Sequence, residues 1–271
     1  MIDSRLTGKV ALITGANHGI GAATATALAA EGVAVFLTYK RLAPTNEPAY
    51  PPDYDRARSG GAGEVVRRIR EAGGTAEAAE ADLADPETPK ALFDQAEKSL
   101  GPVEILVNNA SGWLSDTFTP TERDGFGRPL RMVDAETHDR QFAVDVRAPA
   151  LLIAEFARRH RERGADWGRI IGLTSGGPGG FPTEVSYGAA KAAQENYTMS
   201  AAHELGQYGI TANMVHPPVT DTGWVNEEVE KMVAASGVLR EVAQPEDVAE
   251  VITFLASHQG RRVTGQLLRM Y

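Results

Sequence analysis

The most restrictive feature of the sequence is a strand, a glycine-rich turn and a helix in direct succession near its start. Residues 9–14 (KVALIT) form a nearly continuous apolar run, typical of a parallel strand buried on both faces. The turn TGANHGIG follows, and the alanine-rich run after it predicts a helix that stops at Gly32. Gly15 permits the turn, while Gly19 and Gly21 allow a dinucleotide pyrophosphate to approach the backbone at the helix start. The alternative is a plain turn without a ligand.

Apolar strands and amphipathic helices alternate through the rest of the sequence. Further strands are predicted over 33–39, a segment ending at Asp82 and Leu83, 104–107, 169–174, 210–217 and 264–270. Alanine-rich or amphipathic runs between them predict helices, among them 135–163 and 245–257. Because the alternation is uninterrupted and 271 residues are enough for one large α/β unit, we predict a single α/β domain over 1–271 with a doubly wound sheet.

Three segments do not follow the strand and helix patterns. Residues 42–59 contain four prolines, and proline at this density resists both helix and sheet. We interpret this segment as an insertion that is either mobile or a flap over the adenosine end of a bound dinucleotide, and we favour the mobile interpretation. Residues 111–134 are predicted to form a long polar loop. Residues 217–237, after the sixth strand, are predicted to form a lid over the substrate.

The composition excludes several classes of site and partner. The chain has no cysteine, which excludes disulfides, thiolate metal sites and a cysteine nucleophile. Its formal charge of −9 argues against nonspecific binding to nucleic acid or to an anionic membrane. The six histidines show no close ligand spacing, so we expect no catalytic metal. Since neither a basic leader nor an apolar span of membrane length occurs, the expected location is the cytoplasm.

The residues after the second strand indicate which dinucleotide binds. In doubly wound sheets that bind NAD, an acid about 20 residues past the glycines holds the adenosine ribose. Here the chain has Tyr39, Lys40 and Arg41 instead, and two cations suit a 2′-phosphate. The alternative is that the basic pair lies in solvent. Asp82, at the end of the third strand, either accepts a hydrogen bond from the adenine amino group or caps the next helix.

Tyr187 and Lys191 stand four residues apart in an alanine-rich run, so in a helix they share one face. A phenol titrates near pH ~10, and an ammonium beside it favours the tyrosinate and acid–base work at neutral pH. Ser175 ends the fifth strand, where its hydroxyl could hold a substrate oxygen against the phenol. A tyrosine at this spacing from a lysine also occurs on helix surfaces without any role.

These motifs, in this order, resemble those of the short-chain dehydrogenase/reductase family across nearly the whole chain. TGANHGIG is similar to the family's TGxxxGxG turn, NNAS at 108–111 to its NNAG, and YGAAK to its YxxxK. Ser175 resembles the family's substrate-orienting serine, and the stretch from Asn213 to Thr222 resembles its N…PGxxxT. The resemblance, which extends to 3-oxoacyl reductase-like members, implies a Rossmann fold with a seven-stranded parallel sheet, helices on both faces, and a homo-oligomer, either tetramer or dimer.

The resemblance also implies roles for single residues. Tyr187 would be the proton donor or acceptor, Lys191 would hold the nicotinamide ribose and tune Tyr187, and Thr222 would touch the carboxamide. The residues expected to bind the cofactor, from the patterns above and this resemblance together, are Gly15, Asn17, His18, Gly19, Ile20, Gly21, Tyr39, Lys40, Arg41, Asp82, Leu83, Asn109, Ala110, Tyr187, Lys191, Pro217, Val219 and Thr222.

The chain departs from the family pattern at the site. Ser111 replaces the glycine of NNAG, Pro218 stands where the family has a glycine, and Asp145 occupies the position of a catalytic asparagine. We count Asp145 with the catalytic residues, because its charge would raise the pKa of Tyr187 and bias the reaction towards reduction. The alternative is that Asp145 faces a helix-capping donor or solvent and has no electrostatic role.

The expected protein is therefore an NADP(H)-dependent oxidoreductase that transfers hydride between nicotinamide and a small carbonyl or secondary alcohol, with Tyr187 as general acid/base. Its substrate stays open among 3-oxoacyl thioesters, small alcohols and sugars. Trp113, Phe181 and Trp224 either line a pocket that accepts aromatic groups or pack locally. The alternative function is a sensor or regulatory protein that binds NADP(H) on the same fold with little turnover.

Overall fold

The computed structural model describes residues 3–45, 50–176, 179–236 and 238–271. Nine strands are present there: β1 (Val10–Thr14), β2 (Ala34–Tyr39), β3 (Ala76–Glu80), β4 (Ile105–Asn108), β5 (Asp116–Thr117), β6 (Arg131–Met132), β7 (Gly168–Leu173), β8 (Ile210–His216) and β9 (Leu267–Arg269). Seven of them form one parallel sheet in the order β3-β2-β1-β4-β7-β8-β9, and β5 pairs with β6 separately. This confirms the predicted doubly wound parallel sheet.

Helices connect the strands and cover both faces of the sheet. In the described part of the chain they are α1 (Gly19–Ala30), α2 (Pro52–Ser59), α3 (Gly63–Glu71), α4 (Thr88–Leu100), α5 (Ala135–Phe142), α6 (Ala148–Glu162), α7 (Val185–Leu205), α8 (Glu227–Ser236) and α9 (Pro245–Ala256). One apolar cluster joins α1, α3 and α9 to the sheet. A second cluster joins α4, α6 and α7 to the opposite face.

The continuous apolar run of β1 is explained by burial on both sides. Ala11 and Ile13 belong to the cluster with α1, whereas Val10 and Leu12 belong to the cluster with α4. Successive strand residues point to opposite faces, so a strand with helices on both faces needs an apolar residue at every position. Burying each of these larger side chains contributes on the order of 1.5–3 kcal/mol.

The direction of winding reverses between β1 and β4. From β1 the chain proceeds outwards through β2 to β3, and it then returns to β4 on the other side of β1. The loops after β1 and β4 therefore leave the same edge of the sheet in opposite directions and open a crevice between them. In doubly wound sheets this crevice is where ligands bind.

The insertion at 42–59 differs from the prediction, because its second half is the helix α2. Pro52 is the first helical residue, where the missing N–H removes no intrahelical bond and the fixed φ suits the helix. Acidic residues in the first turn and arginines in the last turn complement the helix dipole. The number of prolines alone therefore did not predict the structure of this segment, because the effect of a proline depends on its position in the helix. Residues 46–49 of the insertion lie outside the described residues.

The segment from 111 to 163 is also more ordered than predicted. The loop at 111–134 contains the short pair β5 and β6. The predicted helix at 135–163 is continuous from α5 to α6, but residues 143–147 form a π-helical turn between them. Asp145 lies in that turn and is fully buried. A π turn shifts the register of the side chains, and such turns frequently occur at functional sites.

The predicted lid at 217–237 contains the helix α8, while residue 237 lies outside the described residues. The same holds for residues 177–178 in the link between Ser175 and Tyr187. Across the described ranges, no helix is long and apolar enough to cross a membrane. The same ranges contain no group of three or more His, Cys, Asp or Glu side chains placed to hold a metal ion.

Candidate active site

A cavity of about 650 Å³ opens at the crevice between the loops after β1 and β4. Its wall is formed by Gly15, Asn17, His18, Gly19, Ile20, Thr38, Tyr39, Lys40, Leu42, Tyr54, Arg58, Ala81, Asp82, Leu83, Ala84, Asn109, Ala110, Ser111, Gly112, Trp113, Arg140, Val144, Tyr187 and Thr222. Most of the residues predicted to bind the cofactor thus surround one cavity. The predicted residues that are not part of this wall are Gly21, Arg41, Lys191, Pro217 and Val219.

The glycine turn has a backbone conformation in which side chains would be strained or would clash with neighbouring atoms. Gly15 and Gly19 have φ of +65° and +55°, which favours glycine at both positions. Gly21 is not part of the cavity wall, and its predicted role towards a pyrophosphate stays a prediction. A Cβ there would lie 2.3 Å from the Gly15 carbonyl oxygen and 2.6 Å from Asn109 Nδ2. Gly21 is therefore required by packing within the turn, whereas Gly15 and Gly19 line the cavity.

Asn109, which follows β4, holds the turn in place. Its Nδ2 donates hydrogen bonds to the backbone oxygens of Thr14 and Gly15, each at 2.9 Å. The Thr14 Oγ1 accepts from the backbone N–H groups of Asn109 and Ala110, each at 3.0 Å. The side-chain amide of Asn109 is committed to the protein, although the residue also lines the cavity. The sequence predicted this residue as a cofactor ligand and gave no sign of its bonds to the turn.

The basic residues after β2 are paired with carboxylates. Lys40 Nζ lies 2.6 Å from Asp82 Oδ2, and Arg41 Nη1 lies 2.5 Å from Glu80 Oε2. Asp82 Oδ1 also accepts from the Ala84 N–H at 2.9 Å, so this carboxylate holds the turn before α4 as well as Lys40. Each cation therefore has a carboxylate partner, and a phosphate would have to compete with the two carboxylates.

The π turn brings Asp145 against Lys191. Their side chains form an ion pair of 3.0 Å between Nζ and Oδ1, with exposed fractions of 2% for Lys191 and 0% for Asp145. Asp145 Oδ2 accepts from the Gly112 N–H and from Gln141 Nε2, each at 2.7 Å. Lys191 Nζ also donates to Gln194 Oε1 at 3.1 Å. Asp145 therefore does not face solvent, and its charge is compensated by the lysine.

Tyr187 lies on α7 one turn before Lys191, as the spacing predicts, and its phenol is at the cavity wall. Lys191 Nζ lies 5.6 Å from the centre of the Tyr187 ring. Burial, and after it the charge of Asp145, raise the pKa of Tyr187 above its ordinary value, while hydrogen bonding with the Ser175 side chain lowers it only in part. We expected Lys191 to favour the tyrosinate, but its charge is balanced by Asp145. The phenol is therefore protonated at neutral pH.

The segment after β8 reaches the glycine turn through Thr222. A Cβ placed on Gly19 would lie 2.8 Å from Thr222 Cγ2, so the two residues are in direct contact. The Val219 carbonyl accepts from the Ala243 N–H at 3.0 Å, which ties this segment to the chain before α9. Pro217 directly follows β8 and is not part of the cavity wall. Thr222 therefore contacts the glycine turn, and its contact with a carboxamide stays a prediction.

Helix α2 contributes two wall residues that the sequence analysis missed, Tyr54 and Arg58. Asn17 Nδ2, in the glycine turn, donates to the backbone oxygens of Ala57 and Gly60 at 3.2 and 2.9 Å and holds the helix there. A proline at the start with acids in the first turn is a helix signal that could have been read from the sequence. The contact with the turn could not, because it joins segments about 40 residues apart.

Trp113 forms an aromatic wall together with the tyrosines of the insertion. The ring of Tyr50 stacks on Tyr54 at 5.0 Å and meets Trp113 edge-on at 6.3 Å. Trp113 Nε1 donates to Glu184 Oε2 at 2.9 Å, and the Arg128 guanidinium lies 5.2 Å from the centre of the Trp113 ring. Phe181 and Trp224, which the sequence grouped with Trp113, are not at this wall.

Arg128 is the centre of the network behind Trp113. It pairs with Asp124 at 2.6 Å and with Glu184 at 2.8 Å, and all three side chains are largely buried. The network ties the loop at 111–134 to the start of α7, so Trp113 and Tyr187 are held by the same elements.

The fold and the cavity together define a dinucleotide-binding α/β protein. A tyrosine in the cavity wall, Tyr187, lies near the buried ion pair of Lys191 and Asp145. The chain matches the family model described as "short chain dehydrogenase" over residues 9–50 and the model described as "Enoyl-(Acyl carrier protein) reductase" over residues 55–270. It belongs to the short-chain dehydrogenase/reductase family of oxidoreductases.

Three proteins illustrate the similarity of this chain to known proteins. Elsinochrome reductase 1 of Elsinoe fawcettii is 36% identical over 98% of this chain and 94% of its own length. A blue fluorescent protein from a metagenomic library, solved with NADPH, is 32% identical, with a TM-score of 0.79 over 98% of this chain and 97% of that one. The angucycline C-6 ketoreductase LanV, solved with bound NADP, is 31% identical, with a TM-score of 0.78 over 98% and 95%.

Proposed function

We propose that this oxidoreductase is an NADP(H)-dependent carbonyl reductase in which Tyr187 protonates the reduced oxygen. The observation that carries the proposal is the position of the Tyr187 phenol, which is protonated and faces the same cavity as the glycine turn. The turn suits a dinucleotide, because Gly15 and Gly19 leave the backbone open where side chains would project. The two similar structures solved with NADPH or NADP support the choice of cofactor.

Bound in this cavity, the cofactor would supply a hydride to the carbonyl carbon. The carbonyl oxygen then gains negative charge, and the Tyr187 O–H donates its proton to that oxygen, which gives the alcohol and leaves a tyrosinate. Ser175, whose side chain interacts with the phenol, would hold the same oxygen. The ion pair of Lys191 and Asp145 determines the net charge close to the tyrosinate.

The Lys191–Asp145 pair favours reduction over oxidation. Reduction needs a protonated phenol, whereas oxidation of an alcohol needs the tyrosinate as base. Because Asp145 raises the pKa of Tyr187, the acid form is present at neutral pH and the base form only at alkaline pH. We therefore expect carbonyl reduction to be fast near pH ~7 and alcohol oxidation to rise with pH.

We further propose that the substrate is a ketone attached to an aromatic ring system. The wall of the cavity that Tyr187 faces includes Trp113, and flat rings stack on such a side chain with about 0.5–1.5 kcal/mol beyond burial. Elsinochrome reductase 1 and the angucycline C-6 ketoreductase are named for elsinochrome and for an angucycline as the compounds that they reduce. A 3-oxoacyl thioester has no ring to stack on this wall.

A carbonyl panel tests both parts of the proposal. NADPH consumption would be followed with tetralone as aromatic ketone, acetoacetyl-CoA as 3-oxoacyl thioester and acetone as small ketone. We expect tetralone to have the highest kcat/KM, and Trp113→Ala to lower it about tenfold mainly through KM while leaving the values for acetone within about twofold. Tight NADPH binding without turnover of any carbonyl would favour the sensor, and a preference for acetoacetyl-CoA would contradict the aromatic substrate.

A further inference from the structure

We infer that Arg58, on the inserted helix α2, recognises the 2′-phosphate of the cofactor. This inference rests on the proposed NADP(H) function and assigns the residue that distinguishes NADPH from NADH. The sequence analysis placed that role on Lys40 and Arg41, because they follow β2 where an acid would hold the ribose of NAD.

Lys40 and Arg41 are poor candidates because both are engaged. Glu80 binds Arg41 twice, with Oε2 at 2.5 Å from Nη1 and Oε1 accepting from the backbone N–H at 3.1 Å. Asp82 lies 2.6 Å from Lys40 Nζ. A phosphate would have to displace these carboxylates and would meet their negative charge at short range. Arg41 is also absent from the cavity wall.

Arg58 is a cation at the wall without such a competitor. Within the described ranges its guanidinium forms no ion pair with a carboxylate, and it lies 5.0 Å from the centre of the Tyr54 ring. Arg140, a further cation of the wall, comes from α5 beside Gly112. An arginine fork binds phosphate oxygens through two parallel N–H groups, which a displaced lysine cannot match.

The backbone places Arg58 at the end of β2. The Leu42 N–H donates to the Arg58 carbonyl oxygen at 3.0 Å, so α2 is joined to the residues that follow the strand. In doubly wound sheets this is the place where the substituent on the ribose 2′-oxygen is recognised. The main chain of Arg58 therefore lies next to the place where a 2′-phosphate is recognised, which favours this group over another phosphate of the cofactor.

His18 adds a donor to the same place. Burial and the nearby charge of Arg58 lower the pKa of His18, so the imidazole is neutral at pH ~7. Its Nδ1 is buried and has no hydrogen-bond partner in the described part of the chain. A neutral imidazole beside an arginine can complete the coordination of a phosphate oxygen with one N–H. The two bonds from Asn17 to Ala57 and Gly60 keep α2 against the turn that carries His18.

The test compares the binding of NADPH and NADH to the full chain, measured by fluorescence titration without any substrate. The variant is Arg58→Gln, with Arg58→Lys to restore the charge. Arg56→Gln is the matched control, since Arg56 lies on the same helix but is exposed and pairs with Asp53 at 2.9 Å. We expect Arg58→Gln to raise the Kd of NADPH at least tenfold and that of NADH by less than about twofold. Arg58→Lys should recover part of the loss, and Arg56→Gln should change neither Kd.

Different outcomes overturn the inference and the proposed function. If Arg58→Gln leaves the Kd of NADPH unchanged, or weakens the binding of both cofactors equally, Arg58 does not recognise the 2′-phosphate. If Lys40→Gln instead removes the preference for NADPH, the role returns to Lys40. Equal binding of NADPH and NADH by the unmodified protein would overturn the NADP(H) function itself, whatever the variants do.

Discussion

Replacing Asp145 with asparagine tests the electrostatic account of the site most directly. The substitution removes one negative charge from a fully buried position and keeps an oxygen that can accept a hydrogen bond. Lys191, 3.0 Å away, then loses the charge that balances it. An uncompensated ammonium favours the tyrosinate, so the pKa of Tyr187 should fall.

The distances set the size of the effect. Lys191 Nζ is 5.6 Å from the centre of the Tyr187 ring. At an effective dielectric of ~20, a unit charge at about 6 Å stabilises the tyrosinate by about 3 kcal/mol, and the carboxylate paired with that charge opposes this stabilisation. Removing the carboxylate should therefore lower the pKa of Tyr187 by about one unit after solvent screening, or ~1.4 kcal/mol. Burial, which is the largest cause of the raised value, remains.

The assay is the pH dependence of kcat for alcohol oxidation, with tetralol and NADP⁺, in both proteins. The apparent pKa that controls oxidation should move down by about one unit in Asp145→Asn, so the variant oxidises faster than the unmodified protein near neutral pH. Breaking a buried pair destabilises by roughly 3–5 kcal/mol, so a thermal melt fixes the temperature range in which both proteins are folded.

Asp116→Asn is the matched control. Asp116 is also fully buried, and its Oδ1 accepts from the Ser186 N–H at 2.8 Å at the start of α7, but it is not among the main causes of the raised pKa of Tyr187. Its pH profile should coincide with that of the unmodified protein. If the profiles of Asp145→Asn and the unmodified protein also coincide, Asp145 has a structural role only and the reductive bias has no basis.

Three further predictions concern the site and the loops that hold it. Tyr187→Phe should fold and bind NADPH but lose about 10²–10⁴ in kcat, and retention of a third of kcat in steady-state assays would contradict the role of the phenol. Gly21→Ala should lower the free energy of unfolding by about 1–3 kcal/mol in urea titrations, because the added Cβ has no room; an unchanged midpoint would refute this. Arg128→Met should cost about 3–5 kcal/mol in the same titrations, since two buried carboxylates lose their partner, and a loss below about 1 kcal/mol would show that the network contributes little.

The homo-oligomer expected from the family stays a prediction. Leu151 on α6 and Tyr197 on α7 are exposed, with exposed fractions of 37% and 49%. Exposed apolar side chains on neighbouring helices are the kind of surface that a second copy covers. Light scattering of the purified protein would measure the oligomeric state, and a monomer at micromolar concentration would contradict the expectation.

The sequence by itself determined the strands, the glycine turn and the Tyr187–Lys191 pair. Strand burial, helix periodicity and turn chemistry are local properties, so residues two to four apart carry the information. The run KVALIT predicts a strand buried on both faces before any neighbour is known, and Gly15 and Gly19 predict a turn that needs positive φ. These features are fixed by sterics within one short segment.

Only the tertiary structure decided what surrounds those elements. Asp145 meets Lys191, Lys40 meets Asp82, and α2 comes to lie against the glycine turn at Asn17. Each contact joins segments distant in the chain, and no local pattern encodes it. Which cation is compensated and which is left for a ligand depends on these contacts, because charge interactions fall off with distance in space and not along the sequence.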